Sequence, residues 1–245
     1  MRYAVISDIH GNFEALKEVL TYIKDENVDK IINCGDIVGY GPEPERCVKT
    51  VMALKNIHNV IGNHDWAVLG LEDTSKFNSD ALSAVQWTRD SLSPESINFL
   101  STLDYRKGGS NFMFLHGSPR DPLDEYIQGI PAAEANFKKV LKPICFVGHT
   151  HAPVVFRRNT NNEVESLLFF PGKDIKIEEN FRYIINPGSV GQPRDGNPDS
   201  SLVIYDTDKM EVSLRRVSYD IPRTQKLILE AGLPEFLASR LAEGE

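Results

Sequence analysis

Histidine, aspartate and asparagine residues are gathered into short polar clusters along the first two thirds of the chain. Five of the six histidines lie in these clusters, and a Gly-Asp pair adds a further carboxylate. The clusters are Asp8-Ile9-His10, Gly35-Asp36, Gly62-Asn63-His64-Asp65, His116-Gly117-Ser118 and Gly148-His149-Thr150-His151. Imidazole, carboxylate and amide oxygen together favour a borderline divalent metal ion, and they offer more ligands than one tetrahedral or octahedral centre can take. The pattern therefore predicts a site for two metal ions that share a ligand.

A short apolar run precedes each cluster. The runs are residues 2–6, 30–32, 58–61, 112–115 and 144–147. Runs of this kind, stopped by Gly or Asp, are typical of buried strands. We therefore expect the clusters at the carboxyl ends of several strands, where open α/β sheets build their sites. In extended backbone, the i, i+2 pairs Asp8–His10 and His149–His151 would each point to one side and bind at one place.

The order of these motifs resembles that of the calcineurin-like metallophosphoesterases. The family pattern is Asp-x-His, Gly-Asp, Gly-Asn-His-Asp/Glu, a single His and Gly-His-x-His, and every element is present here in that order within residues 7–151. A further segment is similar to the one that follows the site in small bacterial phosphodiesterases of this superfamily. It is Asn186-Pro187-Gly188-Ser189-Val190-Gly191-Gln192-Pro193-Arg194.

The resemblance implies a role for each cluster. The first metal would bind Asp8, His10 and His151, the second metal would bind Asn63, His116 and His149, and Asp36 would bridge them. The resemblance also implies that His64 is not a ligand but hydrogen-bonds the phosphate and protonates, or otherwise stabilises, the leaving oxygen. Two divalent ions roughly 3.5–4 Å apart can clamp the attacking and leaving oxygens of an in-line displacement and make a bridging hydroxide available near neutral pH.

For the fold, the resemblance implies an α/β protein, a mixed β sandwich of two sheets flanked by helices (αββα), with the dinuclear site at the strand ends. Helical spacing over residues 13–24 and 43–54 between the first three strands agrees with this. We interpret the alternating strands after His151 as the second sheet. The spread of the motifs predicts one domain over residues 1–245, with a helical insertion at about 66–107 placed to cover the metals. Three aromatic residues of the insertion would either face the substrate or pack the insertion onto the sheet: Trp66, Phe77 and Trp87.

Two polar residues outside the metal pattern are candidates for substrate binding. Asn12 would touch the phosphate or, alternatively, cap the helix that begins at Phe13. Arg194 has the fork geometry that suits a phosphate, although exposed arginines are common in polar loops. Residues 39–42 form at least a turn, and their glycines would also allow the backbone to approach the metals closely. Residues 186–189 form either a simple turn or a turn that lies under the metals.

Composition narrows the class of protein. The apolar run at the amino terminus is too short for the hydrophobic region of a signal peptide, and no apolar stretch approaches the length of a membrane span. We therefore expect a cytoplasmic protein without membrane contact. The net charge of −8 argues against nonspecific binding of nucleic acid, although not against a small phosphate ester held by two cations. The cysteines Cys34, Cys47 and Cys145 form no C-x-x-C pair and are expected to be buried thiols.

These inferences converge on a metal-dependent hydrolase of small phosphate esters, with a phosphodiesterase or nucleotide pyrophosphatase favoured. The cofactors would be two divalent ions, Mn, Fe, Zn, Ni or Co, with manganese favoured. One alternative is a phosphomonoesterase or phosphoprotein phosphatase, but phosphoprotein phosphatases carry Gly-Asp-x-x-Asp-Arg-Gly where this chain has Gly35-Asp36-Ile37-Val38-Gly39-Tyr40-Gly41. A second alternative is a non-catalytic scaffold of the same fold, which the complete ligand set and His64 disfavour. The sequence leaves the substrate and the oligomeric state open.

Overall fold

Two six-stranded sheets face each other and carry helices on their outer sides. The computed structural model describes residues 1–71 and 77–245. The strands are β1 Arg2–Ile6, β2 Lys30–Asn33, β3 Ile57–Asn59, β4 Arg106–Gly108, β5 Phe112–Leu115, β6 Ile144–Phe146, β7 Val154–Arg158, β8 Val164–Leu167, β9 Ile175–Lys176, β10 Arg182–Asn186, β11 Ser200–Asp206 and β12 Glu211–Val217. The helices are α1 Phe13–Asp25, α2 Pro44–Ala53, α3 Asn63–Val68, α4 Ser79–Ser91, α5 Pro94–Ser101, α6 Gly129–Phe137, α7 Ile221–Glu230 and α8 Glu235–Ser239, and a short 3₁₀ helix covers Arg240–Ala242.

The first sheet has the strand order β3-β2-β1-β11-β12-β9. Strands β1, β2 and β3 are parallel and are connected through α1 and α2, as the spacing of apolar residues predicts. Helix α1 buries Leu16, Val19 and Ile23 on one side, in a core that includes Ala4 and Ile6 of β1. Because both faces of β1 are covered, its sequence from Tyr3 to Ile6 is a continuous apolar run, which ends at the loop that carries Asp8 and His10.

The second sheet has the order β4-β5-β6-β10-β7-β8, with β5, β6 and β10 parallel and the other three strands antiparallel to their neighbours. Helix α6 covers its outer face, where Phe137 packs with Cys145 and Ile184. The core between the two sheets includes Val5 from the first sheet and Phe146 from the second. The predicted αββα arrangement of two mixed sheets flanked by helices is therefore confirmed.

The predicted division of the strands between the sheets is wrong. We expected the strands after His151 to form the second sheet, but β9, β11 and β12 complete the first sheet, and β5 and β6 belong to the second. Strand β11 pairs antiparallel with β1, from Arg2 opposite Asp206 to Val5 opposite Val203. The burial of nearly every residue of β11 is typical of a central strand, but order along the chain does not determine which strands pair.

The segment predicted as a helical insertion contains α4 and α5, and its residues 72–76 lie outside the described residues. Val85 of α4 and Leu100 of α5 join the core formed by α1, α2 and the first sheet. On its other side, α4 contacts the terminal helices, where Ala84 packs with Ile228 and Leu237. None of the helices described here is long and apolar enough to cross a membrane. All three cysteines are buried free thiols, as expected.

Candidate metal centre and active site

The polar clusters all lie where strands end. Strands β1, β2 and β3 lead to the first three clusters, and the parallel strands β5 and β6 lead to the last two. Main-chain hydrogen bonds join neighbouring loops: the Asp8 amide donates to the Gly35 carbonyl at 3.0 Å, and the Gly148 amide donates to the His116 carbonyl at 2.8 Å. The structure thus brings together and buries all seven predicted ligands. They are Asp8, His10, Asp36, Asn63, His116, His149 and His151.

Left-handed backbone, rather than extended backbone, aims most of these side chains at one place. Five of the eight non-glycine residues with positive φ in the described part of the chain are candidate ligands, with φ between +49° and +68°. They are Asp8, His10, Asp36, His149 and His151. The expectation that the two i, i+2 pairs converge from extended backbone is therefore wrong, although their side chains do converge. Conformations of this kind are costly for non-glycine residues and gather at functional sites.

The first donor cluster consists of Asp8, His10 and His151. The Nε2 atoms of His10 and His151 lie 3.0 Å apart. Asp8 Oδ1 is 3.4 Å from the Nε2 atom of His151 and 3.9 Å from that of His10. Each imidazole donates its Nδ1–H to a main-chain carbonyl, His10 to Val38 at 3.2 Å and His151 to Gln192 at 2.6 Å. Since a carbonyl can only accept, both Nε2 atoms carry lone pairs that face each other.

The second donor cluster consists of Asn63, His116 and His149. His116 Nε2 lies 3.0 Å from Asn63 Oδ1 and 3.1 Å from His149 Nδ1. The other ring nitrogens are again fixed by carbonyls: His116 Nδ1 donates to Cys34 at 2.9 Å, and His149 Nε2 donates to Asp124 at 3.1 Å. The tautomers therefore leave the lone pairs of His116 Nε2 and His149 Nδ1 directed toward each other. Hydrogen bonds of this kind commonly orient metal-binding histidines.

Asp36 lies between the two clusters. Its Oδ1 accepts a hydrogen bond from the His64 amide at 2.9 Å. Its Oδ2 is 3.6 Å from His10 Nε2 and 3.3 Å from His116 Nε2, is buried, and accepts no hydrogen bond within residues 1–71 and 77–245. One carboxylate oxygen thus faces a ring nitrogen with a lone pair in each donor cluster.

This donor set fits divalent cations. Ligand atoms about 2.1 Å from a tetrahedral or octahedral ion lie roughly 3.0–3.4 Å from one another. The nitrogens of His10 and His151 and those of His116 and His149 are 3.0 and 3.1 Å apart. Lone pairs facing one another at such distances repel unless a cation lies among them. The donor atoms of Asp8, His10 and His151 all lie within 4.8 Å of one another, and so do those of Asp36, His116 and His149.

Burial sets the protonation of the centre. It lowers the pKa of His10, His116 and His151 well below the ordinary value, and that of His149 to about 4, so these imidazoles are neutral near pH 7, as metal ligands must be. Burial raises the pKa of Asp8 to about 7 and that of Asp36 well above its usual range. Nearby positive charge is what would restore the ionised carboxylates.

His64 lies beside the two clusters, at the surface of an adjoining cavity. Its ring contacts His10, Tyr40 and Phe77, with centroids 4.9, 4.5 and 5.1 Å away. Burial lowers its pKa to about 3, and its Nδ1 has no hydrogen-bond partner among the described residues. A nitrogen of His64 is also within 4.8 Å of donor atoms of His10 and Asp36, so geometry alone allows it as a ligand.

Asp65, next to His64, holds the loops in place. Its Oδ1 accepts hydrogen bonds from the amides of Ile37 and Val38 at 2.9 and 3.1 Å, and its Oδ2 accepts one from the Gly62 amide at 3.0 Å. These bonds bind the loop after β2 to the start of α3. The carboxylate of Asp65 is thus occupied by the backbone of the loop that carries Asp36.

The loop at residues 39–42 lies against the donor clusters, as its glycines suggested. Gly39 has φ +138°, and a Cβ placed on it would be 2.6 Å from His10 Nδ1 and 3.0 Å from His64 Nδ1. The Gly41 amide donates to the His10 carbonyl at 2.6 Å. Helix α2 begins at Pro44, one residue later than the sequence predicted.

Asn12 and Arg194, the two candidates for substrate binding, have different positions. Asn12 caps α1, accepting from the Ala15 amide at 3.2 Å, and donates its Nδ2–H to the Gly191 carbonyl at 2.9 Å. The helix cap, one of its two predicted roles, is therefore the one observed. Arg194 stands at the edge of the donor clusters, where its guanidinium bonds to Gln192 Oε1 and lies over the Tyr40 ring, 5.6 Å from the centroid.

The turn at residues 186–189 supports the loops of the centre from below. Ser189 Oγ donates to the Asp8 carbonyl at 2.8 Å, and Asn186 Nδ2 donates to the Gly148 carbonyl at 2.6 Å and to Thr150 Oγ1 at 3.0 Å. Of the two interpretations of this turn, the one that places it under the donor clusters matches the structure.

Aromatic residues surround the clusters, and only one of them was a sequence candidate. Phe77 faces His64 and lines the cavity, whereas Trp66 packs on Tyr105 and Trp87 packs among the terminal helices. Sequence reasoning missed Tyr40 and Tyr126, which contact His10 and His149. Tyr40 lies in the loop at residues 39–42, which the sequence did indicate, but Tyr126 belongs to none of the sequence motifs.

The chain belongs to the calcineurin-like phosphoesterase superfamily, whose domain model matches residues 1–210. It is 39% identical to the uncharacterized protein MJ0912 of Methanocaldococcus jannaschii, over 98% of this chain and 97% of that protein. It is 44% identical to a metallophosphoesterase from Sphaerobacter thermophilus, whose crystal structure matches with a TM-score of 0.90 over 100% of this chain and 99% of that one. It is 25% identical to phosphodiesterase MJ0936 of M. jannaschii, over 86% and 96% of the two chains. By family and site, the protein is a metal-binding hydrolase of phosphate esters.

Proposed function

We propose that the protein is a dinuclear metal-dependent hydrolase of small phosphodiesters or nucleotide pyrophosphates. The observation that carries the proposal is the position of Asp36 Oδ2, 3.6 Å from His10 Nε2 and 3.3 Å from His116 Nε2, where one oxygen can serve both donor clusters. The relative MJ0936, named a phosphodiesterase, supports the same reaction class.

Each donor cluster would hold one ion. The first ion would bind to Asp8, His10 and His151. The second ion would bind to Asn63, His116 and His149, and Asp36 would bridge the two ions. Mixed nitrogen and oxygen donors suit Mn, Fe, Zn, Ni or Co, and we favour manganese. When bound, the two ions would supply positive charge to the phosphoryl oxygens and lower the pKa of the water that attacks phosphorus.

Two side chains would act on the ester directly. His64 is aimed into the adjoining cavity beside both clusters and would donate a hydrogen bond or a proton to the leaving oxygen. Its ring is held from two sides by Tyr40 and Phe77, which fixes the direction of its nitrogens. Arg194 would bind a non-bridging phosphoryl oxygen, because its fork of N–H donors matches phosphate geometry.

A small diester fits the surroundings better than a phosphoprotein. The Asp-Arg pair that phosphoprotein phosphatases carry after Gly-Asp is replaced here by Gly39 and Tyr40. Tyr40 and Phe77 narrow the approach to His64. Because few side chains are available to bind the phosphate, the choice of substrate would depend on which organic groups fit in the adjoining cavities.

The test is a comparison of kcat/KM on Mn²⁺-loaded enzyme for bis-p-nitrophenyl phosphate, p-nitrophenyl phosphate, a dinucleoside polyphosphate and a phosphopeptide. We expect the diester and the polyphosphate to be the better substrates. A monoester or phosphopeptide that exceeds both by tenfold, about 1.4 kcal/mol in transition-state binding, would instead make the protein a phosphatase. Two bound ions without hydrolysis of any ester would indicate a scaffold.

A further inference from the structure

Two cavities open next to the donor clusters. The first has a volume of about 260 Å³ and is lined by His64, Tyr40, Phe77, Ala81, Tyr126 and His149, among others. The second, about 470 Å³, is lined by Tyr126, Thr150, Val154, Phe156, Arg194 and Gln128, among others. The second is within the size range of small-molecule sites, and nothing in the catalytic role of the donor clusters requires it.

Tyr126 separates the two cavities. Its ring lies flat on the imidazole of His149, with centroids 3.9 Å apart and planes 14° apart, and its side chain borders both spaces. Thr150, between the candidate ligands His149 and His151, borders the second cavity, as does Arg194. A phosphate on the donor clusters would therefore have an open cavity on each side of it.

We propose that the second cavity, lined by Tyr126, Val154, Phe156 and Arg194, binds the organic group that phosphorus retains after cleavage. This inference rests on the proposed function. His64 lines the first cavity, so the leaving oxygen faces that side, and the second ester group of a diester must point elsewhere. Hydrolysis adds water across the P–O bond: the leaving oxygen gains a proton, and phosphorus keeps the retained group as a phosphate monoester.

The lining of the second cavity indicates the chemical class of that group. Val154, Phe156 and the Tyr126 ring offer apolar and aromatic surface, and Gln128 and Thr150 offer hydrogen-bonding groups at its edge. Such a mixture suits a planar, partly polar group of nucleoside size, stacked or packed on aromatic surface. Arg194, at the boundary with the donor clusters, would bind the phosphate that carries the group. The substrate class is therefore a diester or pyrophosphate with a nucleoside on its retained side.

The experiment compares two diesters that release the same p-nitrophenolate and differ only in the retained group. These are thymidine 5′-(p-nitrophenyl) phosphate and methyl p-nitrophenyl phosphate, tested on Mn²⁺-loaded enzyme. We expect kcat/KM to be at least about tenfold higher for the thymidine ester, about 1.4 kcal/mol. Val154→Trp, which fills the second cavity from the half-buried end of β7, should bring the ratio of the two kcat/KM values close to one. Gln128→Trp, at an exposed position on the same cavity, should lower it in the same direction.

The matched control is Glu134→Trp, on α6 in a separate surface cavity, which should leave the ratio at its wild-type value. A binding readout independent of turnover is calorimetry with thymidine 5′-monophosphate, which should bind more weakly to both cavity variants than to wild type. Equal kcat/KM for the two diesters, with no effect of Val154→Trp or Gln128→Trp, overturns the cavity assignment and leaves the proposed function intact. No hydrolysis of either diester by enzyme that cleaves monoesters overturns the proposed function itself.

Discussion

The guanidinium of Arg194 donates two hydrogen bonds to the side-chain carbonyl of Gln192, at 2.7 Å from Nη2 and 3.3 Å from Nε. The main-chain carbonyl of the same Gln192 accepts the Nδ1–H of His151 at 2.6 Å. Gln192 is buried, so its two carbonyls have fixed positions. One residue therefore orients both a proposed metal ligand and the proposed phosphate-binding arginine.

Arg194→Gln should raise KM for bis-p-nitrophenyl phosphate by about 10- to 100-fold, the loss expected for a charge-assisted hydrogen bond of about 1.5–3 kcal/mol. Metal content should stay at the wild-type value, because Arg194 is not a ligand. Steady-state kinetics and elemental analysis measure the two quantities. Arg46→Gln is the control, since that guanidinium lies on the Phe13 ring, 3.7 Å from its centroid, on the outer side of the sheet. Loss of a metal from the Arg194 variant would contradict its assignment.

Asp36→Asn should lower metal content and activity together. Asparagine keeps the Oδ1 that accepts from the His64 amide, so the fold is preserved, but it replaces the charged Oδ2 between His10 and His116. We expect fewer than two ions per chain after reconstitution with Mn²⁺, and turnover reduced by at least about 100-fold. His58→Ala, the histidine outside all clusters, is the control and should retain full content. Two tightly bound ions in the Asp36 variant would mean that another residue bridges them.

Which residues come together in the donor clusters could be predicted from sequence, but not how the backbone presents them. The residue types and the apolar runs before them were sufficient because ligand chemistry and strand burial are local properties. The left-handed φ of Asp8 and His10 was not predictable, since Asp and His adopt that conformation more often than most residues but still in only a small fraction of cases. Tyr126 was missed for a different reason: tertiary packing alone places it on His149.

Gly39→Ala should disrupt the centre. Gly39 has φ +138°, and the added methyl would lie 2.6 Å from His10 Nδ1, displacing the imidazole from the first donor cluster. We expect a loss of about 2–4 kcal/mol in the free energy of unfolding, measured with urea, and loss of metal from the first site. Gly172→Ala is the matched control, with φ +88° and nothing within 4 Å of the added methyl. This control shows the effect of backbone strain alone. If the Gly39 variant loses no more free energy of unfolding than the control, the close approach of the added methyl to His10 is unimportant.

His64→Ala should separate chemistry from metal binding. If His64 acts on the leaving oxygen, the variant keeps both ions while kcat falls by about 10²- to 10⁴-fold. The loss should be smaller for p-nitrophenyl esters than for phenyl esters, because a more acidic phenol needs less protonation as it leaves. Elemental analysis and a series of substituted phenyl esters provide the measurements. Equal losses across the series would indicate binding of the phosphate instead, and a lost ion would make His64 a ligand, as its distance from His10 and Asp36 allows.

Removal of metal should make the stability of the protein more sensitive to pH above about 7.5. In the metal-free protein, burial raises the pKa of Asp8 to about 7 and that of Asp36 well above its usual range, while unfolded aspartates titrate near pH 3.9. Between about pH 7.5 and 8.5 the folded state therefore holds protons that the unfolded state lacks, so stability falls as pH rises. The buried histidines are neutral in the folded state, and the histidines of the unfolded chain, which titrate near pH 6.5, are almost entirely neutral in this window, so they contribute little opposing change.

Bound divalent ions reverse this effect, because they favour the ionised carboxylates and compete with protons for them. The difference in Tm between Mn²⁺-loaded and EDTA-treated protein should therefore be larger at about pH 8.5 than at about pH 7.5. Differential scanning fluorimetry at matched ionic strength measures it, and the Asp36→Asn variant, which lacks the carboxyl proton, should show a smaller change with pH. A metal-free Tm that stays constant or rises from about pH 7.5 to about pH 8.5 would show that the buried carboxylates are already ionised without metal, and that other charges in the fold compensate them.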